Sequence, residues 1–218
     1  MSMKKIDDVS HNNLCGGTGS GQMHPAGAEE KRGSCLREYS ALPEHRKVVV
    51  MLRKMTNEEF LLFREYSVAD YAEDLIRGEG LSSKQALKNA EKEFSAMLPD
   101  GPETAGQFLM AIEDAKNGNA VGWIWFFYEE SADVRQVFLY DLLIFQSERR
   151  KGYASAALDE MEQMAKAAGC TRSMLYVWEH NAPGFNLYQK CGYTAVEKSE
   201  SGMYMKKDLT LSDCQVHG

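Results

Sequence analysis

The chain has 218 residues, of which 44% are hydrophobic, 26% charged and 10% aromatic. This length and composition predict one globular domain with an appendage, and they exclude a chain that is disordered or fibrous throughout. The net charge of −7 argues against non-specific binding to nucleic acid or to an anionic membrane surface. The five cysteines are odd in number and lack C-x-x-C spacing, which argues against a disulfide framework and against a zinc site.

The two ends of the chain differ from its middle. No run of about 18 apolar residues predicts a membrane-spanning helix, and the N-terminus lacks the apolar core of a signal peptide, so we expect a cytoplasmic protein. Residues 1–46 hold six of the 18 glycines and almost no apolar periodicity, which predicts a flexible or disordered extension. The glycine-rich run at 16–21 has neither the preceding strand nor the Gly-Lys-Ser/Thr end of a phosphate loop. Met51 offers an alternative start, and we expect a folded domain over 47–209 and a tail over 210–218.

The ordered pattern begins with an apolar run of strand length at residues 48–52. Thr56 and Glu59 have the T-x-x-E spacing of a capping box, which predicts the start of a helix. Apolar residues then recur at helical spacing, and we expect Gly78 and Gly80 to break this helix.

A second helix is expected over 82–98. Two strands follow at 108–112 and 120–128, and Asn117-Gly118 between them is a strong signal for a hairpin. The next apolar run, at 137–145, is long and almost uninterrupted, which is typical of a strand at the centre of a sheet.

An amphipathic helix is predicted over 152–168, with Gly169 as its C-terminal cap. The remaining predicted elements are a strand at 174–178, a helix at 183–190 and two strands at 195–197 and 203–206. The order β-α-α-β-β-β-α-β-α-β-β predicts a mixed sheet of the α/β or α+β class in one domain.

The most informative segment is 146–154, because it joins the central strand to an amphipathic helix. A helix N-terminus exposes unpaired N–H groups and the positive end of the helix dipole, so it favours anions. Gly152 allows an anion to approach the backbone, and Arg149, Arg150 and Lys151 add positive charge. The residues alone leave two interpretations open, a pyrophosphate cradle and a solvated basic turn.

This segment, Arg149-x-x-Gly152-x-Ala154, resembles the Q/R-x-x-G-x-G/A signature of the GNAT superfamily, the GCN5-related N-acetyltransferases. Residues 181–193 are similar to the N-x-x-A-x-x-L-Y-x-x-x-G-F segment of the same family, with Gly184 in place of Ala and Tyr193 in place of Phe. The resemblance covers about residues 48–209 and is greatest to uncharacterised bacterial members of the YycN-like group. It implies the acyl-CoA N-acyltransferase fold, an α/β (α+β) architecture with a mixed, mostly antiparallel sheet flanked by helices.

The resemblance implies acetyl-CoA as cosubstrate and an amine of a small molecule, peptide or protein as acceptor. It implies a pyrophosphate site on the motif loop, formed by Arg149, Arg150, Lys151, Gly152, Tyr153 and Ala154. The pantetheine arm would pair with the end of the central strand, at Leu143, Ile144 and Phe145. A backbone N–H near Leu143 or Ile144 would polarise the thioester carbonyl. Asn181 would line the coenzyme channel, although a helix N-cap is an equal alternative.

Tyr188 occupies the position of the family's general acid, and the alternative is a tyrosine that only packs the last helix on the sheet. Asp141 is the favoured general base, because it interrupts an otherwise apolar strand. Glu129 and Glu130 are further candidates, and for each carboxylate a solvated surface role stays open.

Several other residues are expected to be structural. His180 lies near the cofactor in this interpretation, although a polar residue at the end of a strand is the favoured role, and Cys191 is interpreted as a small packing residue. Trp123, Trp125 and Trp178 are assigned either to the core or to the wall of the acceptor pocket. We expect the two helices between residues 56 and 98 to wall the acceptor site.

Two functions are therefore carried forward. The first is an acetyl-CoA-dependent N-acetyltransferase, for which the sequence predicts no metal, no nucleic acid and no membrane partner. The second is a non-catalytic acetyl-CoA sensor or interaction module with the same fold. Homodimers are common in the family, and the sequence leaves the oligomeric state open.

Overall fold

A computed structural model of the chain describes residues 48–130 and 134–210. The predicted extension at 1–46, with its glycine-rich run, lies outside the described residues. The same holds for the predicted tail beyond Thr210.

Within the described residues, seven strands form one sheet in the order β1-β2-β3-β4-β5-β7-β6. Their bounds are β1 Val50–Lys54, β2 Gln107–Asp114, β3 Ala120–Glu130, β4 Arg135–Ile144, β5 Arg172–Trp178, β6 Thr194–Lys198 and β7 Gly202–Asp208. All neighbouring strands are antiparallel except β4 and β5, which are parallel. This confirms the mixed, mostly antiparallel sheet, and it confirms that the most apolar strand, β4, is central.

In the part of the chain that the structure describes, four α-helices flank the sheet: α1 Asn57–Glu79, α2 Ser83–Met97, α3 Tyr153–Ala167 and α4 Ala182–Lys190. The capping box that begins α1 is present, since Glu59 N–H donates to Thr56 Oγ1 and Thr56 N–H donates to the Glu59 carboxylate. Gly80 ends the helix in the left-handed conformation, as predicted. The expectation that Gly78 breaks the helix is wrong.

Gly78 lies inside the last turn of α1, where it is needed for close packing. A Cβ atom at this position would lie 2.5 Å from the ring of Trp178. The glycine therefore permits contact between α1 and β5 and does not terminate the helix.

The hairpin between β2 and β3 has a longer connection than the two-residue turn that Asn117-Gly118 suggests. Residues 115–119 separate the strands, and Asp114 N–H donates to the carbonyl of Asn119. Gly118 supplies the positive φ of +70° that this turn requires.

The sheet is covered on both faces. An aromatic cluster lies between the sheet and the first helix pair, where Phe63 packs edge-on against Trp123 and Trp125 at 6.0 and 6.1 Å. The opposite face packs against α3, with Leu158 and Met161 fully buried in a core that continues to the outer strands. None of the helices in the described part of the chain is both long and apolar enough to cross a membrane.

The parallel pair at the centre of the sheet opens into a cleft. The hydrogen-bond ladder of β4 and β5 runs from Gln136–Arg172 to Leu139–Leu175. Beyond that point β4 continues to Ile144 and β5 continues against β7, so the two strands diverge. A bulge in the β3–β4 ladder lies at the same level. The divergence exposes one backbone edge of β4 to a ligand.

Candidate active site

The cleft between β4 and β5 opens into a cavity of about 1110 Å³. Its walls come from α1, the end of β4, the loop that leads to α3, and the segment that joins β5 to α4. Nine of the predicted site residues line it, namely Leu143, Ile144, Arg149, Arg150, Gly152, Tyr153, Ala154, Asn181 and Tyr188. Three do not, namely Asp141, Phe145 and Lys151.

The N-terminus of α3 forms one end of the cavity. No side chain caps this helix and its first turn holds no acidic residue, so the N–H groups of Tyr153, Ala154 and Ser155 face the cavity without a competing carboxylate. Gly152 has φ +92°, and Arg150 is the one non-glycine residue with positive φ within 48–130 and 134–210, at +65°. Arg150 and Gly152 therefore lie on either side of Lys151 in the left-handed conformation, directly before a helix N-terminus, which favours an anion.

The basic side chains of this loop have different partners. Arg149 Nε donates to the carbonyl of Ile144 at 3.0 Å, so it fastens the loop to the end of β4. Lys151 Nζ pairs with the Glu148 carboxylate at 2.9 Å, and Lys151 does not itself line the cavity. Arg149 and Arg150 are therefore the basic residues of this loop that line the cavity.

The backbone of β4 presents one set of N–H groups to the cleft. Phe145 N–H donates to the carbonyl of Val121 at 2.9 Å, so it points towards β3. Because residues alternate along an antiparallel ladder, Leu143 also points its N–H towards β3, and Leu142 and Ile144 point theirs into the cleft. Of the two predicted positions for a carbonyl-polarising N–H, the geometry favours Ile144. The Phe145 ring packs on Trp123 at 4.9 Å.

Asp141 is 1% exposed and lies on β4 behind the cavity wall. Its Oδ2 accepts a hydrogen bond of 2.8 Å from Ser67 Oγ on α1, and its Oδ1 has no hydrogen-bond partner. Burial raises the pKa of Asp141 to about 7, the hydrogen bond from Ser67 opposes this, and the charges of Asp70 and Asp74 add to it. A carboxyl group with this pKa can exchange a proton at neutral pH.

Tyr188 lies on α4 with its ring half-buried at the cavity, 5.9 Å from the ring of Tyr193. Burial raises the pKa of the Tyr188 hydroxyl above its usual value, and the nearby charge of Asp141 raises it further. The hydroxyl is therefore protonated at neutral pH, as a proton donor must be.

Asn181 is the N-cap of α4 and lies at the cavity. Its Oδ1 accepts a hydrogen bond of 2.9 Å from Gly184 N–H, so it is the N-cap of α4, and it also lines the cavity. A Cβ atom at Gly184 would lie 2.8 Å from the Asn181 amide nitrogen. The close approach of this cap explains the glycine at the position where the family motif has Ala.

The remaining candidates lie elsewhere. Glu129 accepts a hydrogen bond of 2.7 Å from Gln136 at the opposite end of β4, and neither it nor Glu130 lines the cavity. Both carboxylates are therefore too far along the sheet to serve as the base. Of the two roles left open for the tryptophans, the core is correct. None of them lines the cavity: Trp123, Trp125 and Trp178.

Two groups of cavity residues were not predicted from the sequence. The first is a polar face of α1 at nearly regular helical spacing: Tyr66, Asp70, Asp74 and Arg77. Their i, i+4 spacing was the available signal, but it does not tell which surface the face meets. The second is the contact of His180 with Asp74 on α1: the sequence placed His180 near the cofactor but favoured a polar role at the end of a strand, and the structure places it at the cavity.

Comparisons with known proteins agree with this geometry. The profile described as "Acetyltransferase (GNAT) family" matches residues 69–193. The uncharacterised N-acetyltransferase YdgE of Bacillus subtilis is 31% identical over 142 residues, which cover 65% of this chain and 90% of YdgE. The uncharacterised N-acetyltransferase YycN of the same organism is 29% identical over 162 residues, which cover 74% of this chain and all of YycN.

Solved structures show the same fold. The crystal structure of YycN superposes with a TM-score of 0.65 at 28% identity and covers 69% of this chain and 96% of YycN. The PaiA N-acetyltransferase of Thermoplasma acidophilum, solved in complex with coenzyme A, gives a TM-score of 0.54 at 18% identity and covers 73% of this chain and 98% of PaiA. From the profile match and these relatives, the chain belongs to the GNAT family of acetyltransferases.

Proposed function

We propose that the protein transfers the acetyl group of acetyl-CoA directly to a primary amine of a small molecule or of a peptide or protein. The observation that carries this proposal is the cleft between the diverging strands, which leads to an uncapped helix N-terminus. A cleft of this shape suits a ligand with a strand-like arm and an anionic end.

The residues around the cleft fit acetyl-CoA. The loop from Arg149 to Ala154 and the first turn of α3 would hold the pyrophosphate, with Arg149 and Arg150 supplying charge at the wall. The exposed edge of β4 would pair with the pantetheine arm, and Asn181 would line its channel. Acetyl-CoA would supply an acetyl thioester, and the N–H of Ile144 would polarise its carbonyl. Lys151 would act only by its general charge, since it is paired with Glu148.

Proton transfer would involve Tyr188 and Asp141. The departing thiolate must gain a proton, and the Tyr188 hydroxyl is a protonated donor at the cavity. The acceptor nitrogen must lose protons, and Asp141 has the pKa and the partnerless oxygen of a proton acceptor. Because Asp141 lies behind the wall, an intervening water would connect it to the reacting nitrogen.

Thermal unfolding with and without acetyl-CoA tests the proposal. Acetyl-CoA at 100 times its dissociation constant adds about 2.7 kcal/mol of stability, which is about 5–11 °C in midpoint for a domain of this size. The double variant Arg149→Ala/Gly152→Asp should lose the shift. Lys166→Ala, which removes a charge from the exposed other end of α3, should keep it.

An amine panel then separates an enzyme from a non-catalytic acetyl-CoA-binding module. Release of free thiol that depends on an amine, and that Tyr188→Phe reduces, supports the transferase. A full thermal shift without turnover on any amine would favour the binding module, and no shift at saturating acetyl-CoA would overturn both functions.

A further inference from the structure

His180 and Asp74 form a hydrogen-bonded pair at the cavity, and the reaction proposed above assigns no role to either residue. His180 Nε2 lies 2.7 Å from Asp74 Oδ1, which joins two residues 106 positions apart in the chain. The imidazole ring also stacks on Trp178, with ring centroids 5.8 Å apart and an angle of 25°. A carboxylate on one edge and an indole on one face hold the ring in a single orientation.

The contact with Asp74 decides which ring nitrogen can accept a proton. A carboxylate only accepts hydrogen bonds, so in the neutral ring the hydrogen lies on Nε2 and Nδ1 keeps its lone pair. Nδ1 is then the ring atom able to take a proton from a ligand. His180 and Asp74 both line the cavity, so the pair is at the surface that an acceptor would meet.

The proposed reaction requires a second proton acceptor. An alkylamine has a pKa of about 10, so it arrives as R–NH₃⁺. Its nitrogen keeps one hydrogen in the amide and therefore loses two protons. One of them ends on the thiolate of coenzyme A, and the other ends in solvent.

The two protons call for groups with different exposure. Asp141 is 1% exposed and its charge acts on Tyr188, so this pair suits the proton that stays inside and reaches the sulfur. The His180 side chain is 27% exposed, so it can release a proton to solvent. The difference in solvent exposure between Asp141 and His180 therefore assigns a different proton to each residue.

We infer that His180, oriented by Asp74, removes the first proton from the acceptor's ammonium group. The N–H bond of R–NH₃⁺ breaks and an N–H bond forms at Nδ1, which leaves a neutral amine and an imidazolium stabilised by the Asp74 carboxylate. The amine lone pair then forms the C–N bond, the C–S bond breaks, and the imidazolium returns its proton to solvent. This inference rests on the proposed function, in which His180 is a catalytic residue and Asp74 a positioning residue.

Other charged groups share the cavity and contribute to its pH dependence. They are Asp70 and Arg77 on α1, Glu148, Arg149 and Arg150 in the loop before α3, and Lys190 on α4. The test must therefore isolate the first deprotonation from general effects of charge.

Two acceptors of almost the same shape achieve this. Butylamine is an ammonium ion at pH 7, whereas O-propylhydroxylamine is neutral and has no first proton to lose. His180→Gln should lower kcat/KM for butylamine by about 100-fold at pH 7, and the loss should shrink as the pH rises and butylamine deprotonates in solution. O-propylhydroxylamine should be affected by less than about threefold. Asp74→Asn should give the same pattern with a smaller loss. Glu179→Gln, which removes an exposed charge next to His180, should change neither acceptor.

An equal loss for both acceptors would overturn the inference, because His180 would then act on structure or on binding. An undiminished rate with butylamine would overturn it as well. Nitrogen-15 NMR of the imidazole gives a readout that does not need an acceptor: the neutral ring must carry its hydrogen on Nε2, and a hydrogen on Nδ1 would contradict the mechanism. Wild-type protein that binds acetyl-CoA but acetylates no amine of the panel would instead contradict the proposed function.

Discussion

Ser67 on α1 donates a hydrogen bond of 2.8 Å to Asp141 on β4, across 74 positions of the chain. Both side chains are buried, and the second carboxyl oxygen of Asp141 has no hydrogen-bond partner. A buried carboxylate with one hydrogen bond is poorly compensated, so burial raises the pKa of Asp141 to about 7. The contact thus ties the helix that walls the cavity to a group that titrates near neutral pH.

The raised pKa of Asp141 predicts a pH dependence of stability. The carboxyl group of Asp141 binds a proton more tightly in the folded chain than in the unfolded chain, where its pKa is near 3.8. The free energy of unfolding should therefore fall as the pH rises from about 4 to about 7. Asp141→Asn should remove this component. The gain in the free energy of unfolding of the variant over the wild type should therefore be larger at pH 8 than at pH 4, by on the order of 2–4 kcal/mol. Urea unfolding across this range measures it. If the free energy of unfolding of Asp141→Asn falls with pH as steeply as that of the wild type, the raised pKa of Asp141 is contradicted. Ser67→Ala should shift the fall to higher pH, because it removes the hydrogen bond that lowers this pKa.

Tyr188→Phe should lower kcat by about 100-fold, because the thiolate then leaves without a proton donor. The thermal shift with acetyl-CoA should be unchanged, since the ring still fills its place on α4. Steady-state kinetics with an accepted amine provide the measurement. Tyr128→Phe, which removes a tyrosine hydroxyl outside the cavity, is the matched control. Equal activity of the two variants would remove Tyr188 from the mechanism.

Gly122→Ala should damage the cleft from the neighbouring strand. A Cβ atom at Gly122 would lie 2.1 Å from the carbonyl oxygen of Leu143 on the β3 side of β4, so β4 must shift, and its opposite edge faces the cleft. We expect a loss of about 1–3 kcal/mol of stability together with weaker binding of acetyl-CoA in calorimetry. Gly118→Ala is strained by its φ of +70° but has no atom within 4 Å of the new Cβ, so it should lower stability alone. Unchanged affinity in Gly122→Ala would show that this edge does not bind the ligand.

The ion pair between Arg53 and Glu59 should make the stability of the protein depend on pH in the acid range. Two nitrogens of the Arg53 guanidinium donate to the Glu59 carboxylate at 2.7 and 2.8 Å, and this interaction lowers the pKa of Glu59 to about 2. The stabilisation is present above about pH 4.5 and is lost as the pH falls towards 2. Arg53→Met should therefore reduce the acid limb of the stability curve, which is the fall in the free energy of unfolding between about pH 4.5 and pH 2. Arg77→Met, which breaks an exposed pair with Glu73, should leave that limb unchanged.

Much of the fold could be predicted because its signals are local. The capping box at Thr56, the left-handed glycine at position 80 and the alternation of apolar residues act within a few residues of chain. Gly78 was misinterpreted for the same reason. Its role depends on the Trp178 ring, which reaches it from a strand about 100 residues later.

The candidate site divides in the same way. The loop from Arg149 to Ala154 was predictable, since a contiguous segment supplies both the glycine and the helix N-terminus. That the backbone N–H of Ile144 points into the cleft was not predictable. It depends on the register between β3 and β4, and a shift of one residue would reverse it.

The sequence by itself determined the family motifs, the order of the elements and the loop proposed to bind an anion, because each depends on residues close together in the chain. Only the tertiary structure decided that Asp74 meets His180, that Ser67 meets Asp141, and that β4 and β5 diverge beyond Leu139. These relationships arise when α1 packs across the sheet, where distant residues come within hydrogen-bond distance. No local propensity encodes that placement, and the proton transfers proposed for the cavity depend on it.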